Sequence, residues 1–539
     1  MTRILARIVL GVFGVVFLMG CQQVDRELAM PTLELPTAVP TLPIAKLPTT
    51  VYATVIPTNT PLPTQTAEPT SVPSTPTPNP PIILAVSAEW ETAVAPLISQ
   101  LNTPRQPWQM QVFEAPEMLL ADGQTQLALS ENGAGTIVFQ EPLALTLPWI
   151  TDWEFITLAD AQDIIANGHQ LVSVLPWSQI TPDQKALRVD GLAPDDPAYP
   201  LQTTLYLQTA EGMDTAVAQL QPLLQTALAP EPVVHLAAVG DIMLDRGLGY
   251  NLSQDRLAYP FAKVVDVLSV ADITVGNVES SMGVGGEPAP KAYPFRAPPQ
   301  AAEALALAGF DVVSLANNHG MDYGPETLLQ ALDLLQAQNV APIGAGANRD
   351  TAHTPFVTEV NGLSLAFLGY VNVPVEASSA FDVATWDATD TTPGLAWGEP
   401  ELVAADVSAV ADQVDLTIVV LHSGFEYIEE PGEEQVAIAK AAIDAGADLI
   451  IGHHAHILQG IEYYNGGVII YGLGNFAFEI DGDPSTAVMN IWLDKDGVRE
   501  LELVPAIIQF GGQPRLAEEW EARPIKQQVY YLTRILNPR

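Results

Sequence analysis

The chain has 539 residues, 48% of them hydrophobic, and 21 Lys and Arg stand against 63 Asp and Glu for a formal net charge of −42. That length exceeds what one core can organise and predicts two or three domains. So acidic a surface repels phosphate backbones and anionic headgroups, which excludes nucleic acid as a partner and requires a polyanionic substrate to meet a local positive field, most simply a bound metal.

At the N-terminus, Arg3 and Arg7 form a basic segment, residues 8–18 are apolar, and Leu18-Met19-Gly20-Cys21 reads as a lipobox. The apolar run has the length of a signal-peptide core and is short for a membrane span. The expectation is a signal peptide over residues 1–20, cleavage before Cys21, and lipidation of Cys21. The mature chain is then extracytoplasmic and lipid-anchored to the membrane. Cys21 is the one cysteine, so no intrachain disulfide forms.

From residue 21 to 81 the sequence is rich in Pro and Thr, with fourteen prolines between Pro31 and Pro81. Such a stretch buries no core and favours extended polyproline II, so a disordered tether is expected. At ~3.1 Å per residue it reaches on the order of 180 Å, enough to hold a folded part away from a membrane.

Residues 82–230 predict a smaller α/β domain, opening with an apolar strand at 82–86 and a helix over 90–101. The segment holds one histidine, His169, and no cluster of catalytic residue types. Residues 157–168 and 187–191 weakly resemble part of one lobe of a phosphate-type periplasmic binding protein.

Residues 231–539 alternate strand and helix, which predicts an α/β architecture. Apolar runs at 233–239, 272–275, 312–315, 416–421 and 449–451 read as buried strands. Helical patterns at 261–270, 300–307, 401–410 and 433–445 precede most of them. Asn361-Gly362 and Asn465-Gly466-Gly467 signal hairpins at sheet edges.

Each of those five runs ends in metal-competent residues: Asp241; Asn277 and Glu279; Asn317, Asn318 and His319; His422 and Glu426; His453, His454 and His456. In open α/β sheets ligands bind at that edge, where the loops converge. Singly, each residue has an ordinary explanation: a helix cap for Asp241, a turn for the Asn pair, a solvated acid for Glu279, a buried core histidine for His422. Three histidines within 453–456 do not. In extended backbone, residues two apart point the same way, so His454 and His456 are expected to grip one site while His453 faces elsewhere.

The series Gly240-Asp241, Gly276-Asn277-Val278-Glu279, Asn317-Asn318-His319 with Asp322 and Gly324, His422-Ser423-Gly424-Phe425-Glu426, Gly452-His453-His454-Ala455-His456 and Gly472-Leu473-Gly474-Asn475-Phe476 resembles the motifs of the CapA family, poly-γ-glutamate capsule synthesis proteins. The resemblance runs from about residue 233 to 509. It implies a metallophosphatase-like αββα sandwich of the calcineurin-like type. It implies one or two divalent ions (Mn, Zn or Fe) held by Asp241, Glu279, Asn318, His422, His454 and His456. His319 stands where such enzymes keep a general acid, with Asp322 beside it as a second catalytic candidate. Tyr323, Glu426 and Asn277 are the candidate substrate contacts. The substrate implied is an anionic polymer or ester, and the partner the capsule synthesis machinery. The rival reading is a non-catalytic component that binds or retains polymer with the same fold. One departure stands out: metallophosphatases open with Asp-x-His, and here the triplet is Asp241-Ile242-Met243.

Overall fold

A computed structural model describes residues 78–376, 380–480 and 482–538. The expected signal peptide, the lipidation site Cys21 and the tether up to residue 77 lie outside the described residues. Among the described residues no helix is long and apolar enough to cross a membrane. The protein is mixed α/β with several sheets.

Residues 82–209 supply a seven-stranded sheet in the order Trp108–Val112, Ile82–Val86, Leu127–Ser130, Gln202–Thr209, Thr136–Pro148, Ser173–Pro176, with Gln184–Ala186 also paired to Thr136–Pro148. The expected first strand and helix are present as Ile82–Val86 and Glu91–Leu101. Leu84, Val86, Leu127 and Leu129 of the sheet pack on Val94 and Ile98 of that helix and on Leu220 and Leu224 of helix Asp214–Ala227.

Two further sheets follow. The eight-stranded one runs Ala341–Ile343, Val312–Ser314, Ile273–Val278, Val234–Ile242, Ser485–Asp494, Gly497–Ile508, Pro514–Leu516, and Asn475–Ala477 also pairs with Val234–Ile242. The six-stranded one runs Phe356–Val360, Leu363–Asn372, Leu416–Ser423, Leu449–His453, Gly467–Ile470, Ile461–Tyr464.

Period-2 alternation distributes their side chains between layers. In Val234–Ile242, Val234, Leu236 and Ala238 enter one apolar cluster while Ala237, Val239 and Ile242 enter another. The first cluster also takes Leu416, Ile418, Val420, Leu449, Ile451, Val468 and Ile470 of the six-stranded sheet, so the two sheets meet face to face. The intervening Val419, Leu421, Ile450 and Ile469 pack on Val403 and Val407 of helix Pro400–Ala411 and on Ile438 and Ala442 of helix Glu433–Asp444. With both faces covered, the strands read in sequence as continuous apolar runs.

Both expected hairpins form at edges of the six-stranded sheet, pairing Phe356–Val360 with Leu363–Asn372 and Ile461–Tyr464 with Gly467–Ile470. Asn361-Gly362 (φ 51° and 86°) and Asn465-Gly466 (φ 48° and 91°) supply the two consecutive positive-φ residues of a type I′ turn. The helix expected over 261–270 shrinks to Val265–Leu268; four valines in that segment disfavour helix by crowding the preceding turn. The long hairpin Ser485–Asp494/Gly497–Ile508, which places an antiparallel strand against Val234–Ile242, is absent from the sequence reading.

A seam joins the first sheet's region to the rest. Trp149, 1% exposed, joins the apolar cluster between the eight- and six-stranded sheets, edge-on to Tyr530 with ring centroids 5.0 Å apart. Its Nε1 donates to the Leu501 carbonyl at 2.8 Å. Beside it, Glu500 accepts from Trp177 Nε1 and Ala186 N, each at 2.7 Å, and Arg188 pairs with Glu502.

Candidate metal centre

Parallel pairing aligns the strand ends that carry the polar residues. On the eight-stranded sheet Asn475 sits beside Asp241, Asp241 beside Asn277, and Asn277 beside Ser314, after which the chain turns through Asn317, Asn318 and His319. On the six-stranded sheet His422 sits beside His453, and the neighbouring Leu363–Asn372 strand leads on to Glu376. Gly240 and Gly452, each just before a site residue, permit close approach: a Cβ on either would lie 2.0 Å from the carbonyl oxygen of Gly474 or Tyr471.

Two sets of side chains converge. Asp241, Glu279 and His422 form one group, and Glu279, His454 and His456 the other, each with ligand atoms within 4.8 Å of one another. Glu279 belongs to both. It is fully buried, and neither carboxylate oxygen has a hydrogen-bond donor. Nε2 of His422 and of His456 stand 3.7 and 3.8 Å from its Oε1. A buried carboxylate is normally hydrogen-bonded, so one without donors, facing imidazoles, has the environment of a metal ligand. The buried Nδ1 of His454 likewise has no partner. Asn318 completes the constellation, its Oδ1 2.7 Å from His422 Nε2.

The electrostatics agree with that chemistry. Burial raises the Glu279 carboxyl well above the usual carboxylate range, and the Asp241 charge adds to it. Burial acts the same way on Asp241, but hydrogen bonds from His453 and His456 hold it well below. On His456 burial opposes protonation, yet Glu279 and Asp241 prevail and lift it to about 10, while burial and the His456 charge drop His454 to about 3. Burial, then the neighbouring His454, lowers His422 as well. Burial thus opposes the negative charge on Glu279, and a divalent cation there would supply the countercharge.

The histidine pair meets as expected but for a different reason. His454 and His456 have φ of 87° and 56°, so they converge through a left-handed turn and not through extended alternation. Nor does His453 face elsewhere: as the last residue of its strand it brings Nδ1 to 3.0 Å from Asp241 Oδ1. Met243 is core, packed with Phe295 and Phe478, and its sulfur accepts from Asp245 N at 3.3 Å.

His319 stands at the rim of the pocket. Nδ1 is 2.7 Å from Asp322 Oδ2, Nε2 is 3.9 Å from Glu279 Oε1, and Phe295 stacks on the ring at 4.4 Å. Burial lowers its pKa, and Asp322 partly offsets this. Asp322 lies behind the imidazole and also accepts from Phe295 N at 2.6 Å. Sequence reasoning missed Lys291. It is fully buried and reaches Asp322 at 2.8 Å, Glu376 at 2.7 Å and the Asn318 carbonyl at 2.6 Å. It thereby ties the His319 turn to Glu376.

The three candidate substrate contacts separate. Glu426 is exposed and lines a cleft of about 550 Å³ above the histidines, together with Arg246, Tyr293, Phe295, Tyr427 and Phe478. Asn277 is fully buried: it donates to Asp241 at 2.8 Å, accepts from Asn317 at 3.0 Å and lies 3.2 Å from His422 Nδ1. Tyr323 is half-buried, and the Arg296 guanidinium covers its ring at 4.3 Å.

A model of the family described as bacterial capsule synthesis protein PGA_cap matches residues 235–480. Over 280 residues the chain is 31% identical to the PGA biosynthesis protein CapA of Bacillus subtilis, covering 51% of this chain and 72% of that protein. Over 322 residues it is 31% identical to the capsule biosynthesis protein CapA of Bacillus anthracis, covering 57% and 76%. A crystal structure of a hypothetical protein from Thermus thermophilus aligns at 15% identity with a TM-score of 0.32, over 50% of this chain and 98% of that one.

Proposed function

The chain belongs to the bacterial capsule synthesis protein family, and on that premise we propose that it is a cell-surface lipoprotein of capsule or exopolymer production whose cleft is a metal-dependent hydrolase centre. In this reading the two facing sheets with their outer helices are a metallophosphatase-type αββα sandwich. The substrate is an anionic polymer of poly-γ-glutamate type, or an ester attached to it. The lipid on Cys21 tethers the protein, and the capsule synthesis machinery is its partner.

The observation that carries the reading is Glu279: buried, without a hydrogen-bond donor, and shared by two ligand groups. Asp241, Glu279, Asn318 and His422 would hold one ion, and Glu279, His454 and His456 a second. A divalent ion there would supply the Lewis acidity that polarises a phosphoryl or carbonyl oxygen. Mixed N and O donors suit Mn, Zn or Fe.

The chain's own residues do the rest. Asp322 accepts from His319 Nδ1 and so presents Nε2 to the cleft, where the imidazolium form, carrying a second proton on Nε2, can pass that proton to a leaving oxygen. Phe295 and Lys291 fix the ring and its turn. Asn277 and His453 fix Asp241.

Met243 favours the second reading, a non-catalytic polymer-binding or retention component, because the position where metallophosphatases keep a histidine is here part of the core. Metal content, then rates on aryl phosphoesters, alkyl phosphoesters and capsular polymer, separate the two. A protein that binds metal, turns over none of these and still retains polymer at the cell surface is the binding component.

A further inference from the structure

Among the residues lining the cleft, Arg246 is the one lysine or arginine, and it faces the carboxylates of Glu376, Glu426, Glu479 and Asp483. Of the described lysines and arginines, nine are paired with a carboxylate. Lys291, Arg188, Arg349, Arg499 and Arg515 are each ion-paired. The Arg246 guanidinium makes no ion pair or hydrogen bond with another described residue. It lies instead over the Phe295 ring, 4.8 Å from the centroid, and Phe295 in turn stacks on His319.

The backbone at Arg246 is left-handed, φ 49°, a conformation an L side chain adopts only when its surroundings impose it. They do so from both sides. Asp245 Oδ2 accepts from Arg296 N at 2.9 Å, and Gly247 N donates to Glu479 Oε2 at 2.9 Å. Strain held in place by two side-chain carboxylates, with an unpaired guanidinium laid on an aromatic wall as its result, marks a binding residue better than a structural one.

We propose that Arg246 receives the terminal oxyanion of the ligand, and that the cleft takes the end of an anionic chain and not its middle. This deepens the metal-dependent reading of the same cleft and rests on it. A polyanion threaded through the cleft would bring a charge with every residue past Glu426, Glu479 and Asp483, with one guanidinium besides the metal to answer them. An end group meets Arg246 while the following charges remain in solvent, where they are screened. The planar fork of arginine matches a carboxylate or phosphate edge with two hydrogen bonds, which a lysine cannot do.

The test uses the full chain loaded with metal. Its probes are γ-glutamyl oligomers with free or amidated ends, the long polymer, and inorganic phosphate, each titrated calorimetrically. Affinity should follow the concentration of chain ends and not of glutamyl residues, and amidating the end should weaken it. Arg246→Gln should weaken free-ended oligomers and phosphate roughly 10- to 100-fold, the worth of a charge-assisted bidentate pair, with metal content unchanged. Arg246→Lys should recover part of that loss. Arg246→Gly, which relieves the left-handed backbone, should keep the wild-type melting temperature and still lose binding. Wild-type affinity in Arg246→Gln, affinity that follows glutamyl residues regardless of ends, or no binding of any probe by the wild type would each overturn the assignment. If oligomers bind, Arg246→Gln weakens them and yet nothing is turned over, the hydrolase reading fails and the assignment of Arg246 stands.

Discussion

The sheet of residues 82–209 and the two sheets that follow bury their apolar side chains alike, but they treat charge in opposite ways. In the first region the buried interior is Leu84, Val86, Leu127, Leu129 and their like, its single histidine, His169, is exposed, and its two buried charged residues, Glu141 and Lys185, join no cluster of metal-competent groups among the described residues. In the second, Asp241, Glu279, Lys291, Asp322, His422, His453 and His454 all lie buried around one point. Burying an ionisable group costs free energy whether it stays charged or is forced neutral, so a stable fold alone would not gather seven such groups. The first region can be read as architecture; the second holds a site that its stability must accommodate.

The sharpest way to break this contrast is to remove a ligand. His454→Ala and His456→Ala should each lose bound metal and hydrolytic activity together, measured by elemental analysis and by rates on the same preparation. If either variant keeps its metal and loses activity, that histidine is not a ligand and the grouping with Glu279 is wrong.

Next in size is His319→Ala. Because His319 sits at the rim and its Nδ1 is taken by Asp322, the variant should keep its metal and lose roughly 10²–10⁴-fold in rate, the usual contribution of a positioned acid. The loss should be greatest on alkyl esters, whose leaving groups most need a proton. A uniform loss across aryl and alkyl substrates would point to a positioning role instead.

The seam offers a smaller effect from the other region. Trp149→Phe keeps an aromatic ring but loses the indole bicycle and its donor to the Leu501 carbonyl, which should cost about 1–3 kcal/mol in denaturant unfolding. Metal content should not move. A change in metal content would mean that the first region helps to shape the site.

Smallest of all, Tyr323→Phe should leave metal, rate and stability within about 0.5 kcal/mol of wild type, since the ring lies under Arg296. A clear rise in KM would bear out Tyr323 as a substrate contact.

Much of the fold was legible because burial on both faces writes itself as apolar runs, and those runs end at Asp241, Asn277, His422 and His453. The Asn-Gly pairs at 361 and 465 gave the hairpins through a backbone requirement that few other residues meet. The list of candidate ligands could be read for the same reason: strand ends in a parallel sheet converge. What could not be read depends on tertiary contact. Lys291, amid prolines and far along the chain from Asp322 and Glu376, looks like a solvated charge until the fold buries it between them. The surroundings of Asn277 could not be read because nothing local shows that Asp241, Asn317 and His422 lie around it. The left-handed turn at His454 and His456 was hidden too, because histidine enters that conformation only occasionally and no glycine marks it within the run.

The central claim is that Glu279 is unpaired because an ion takes the place of its hydrogen-bond donors. Elemental analysis of the purified full chain, after exposure to Mn, Zn and Fe in turn and removal of excess, measures this directly, beside Glu279→Gln. The account predicts one or two tightly held equivalents in the wild type, matching the two ligand groups that share Glu279, and a marked loss in the variant. A wild-type protein that emerges empty from all three metals, or a Glu279→Gln variant that retains the full complement, would contradict it.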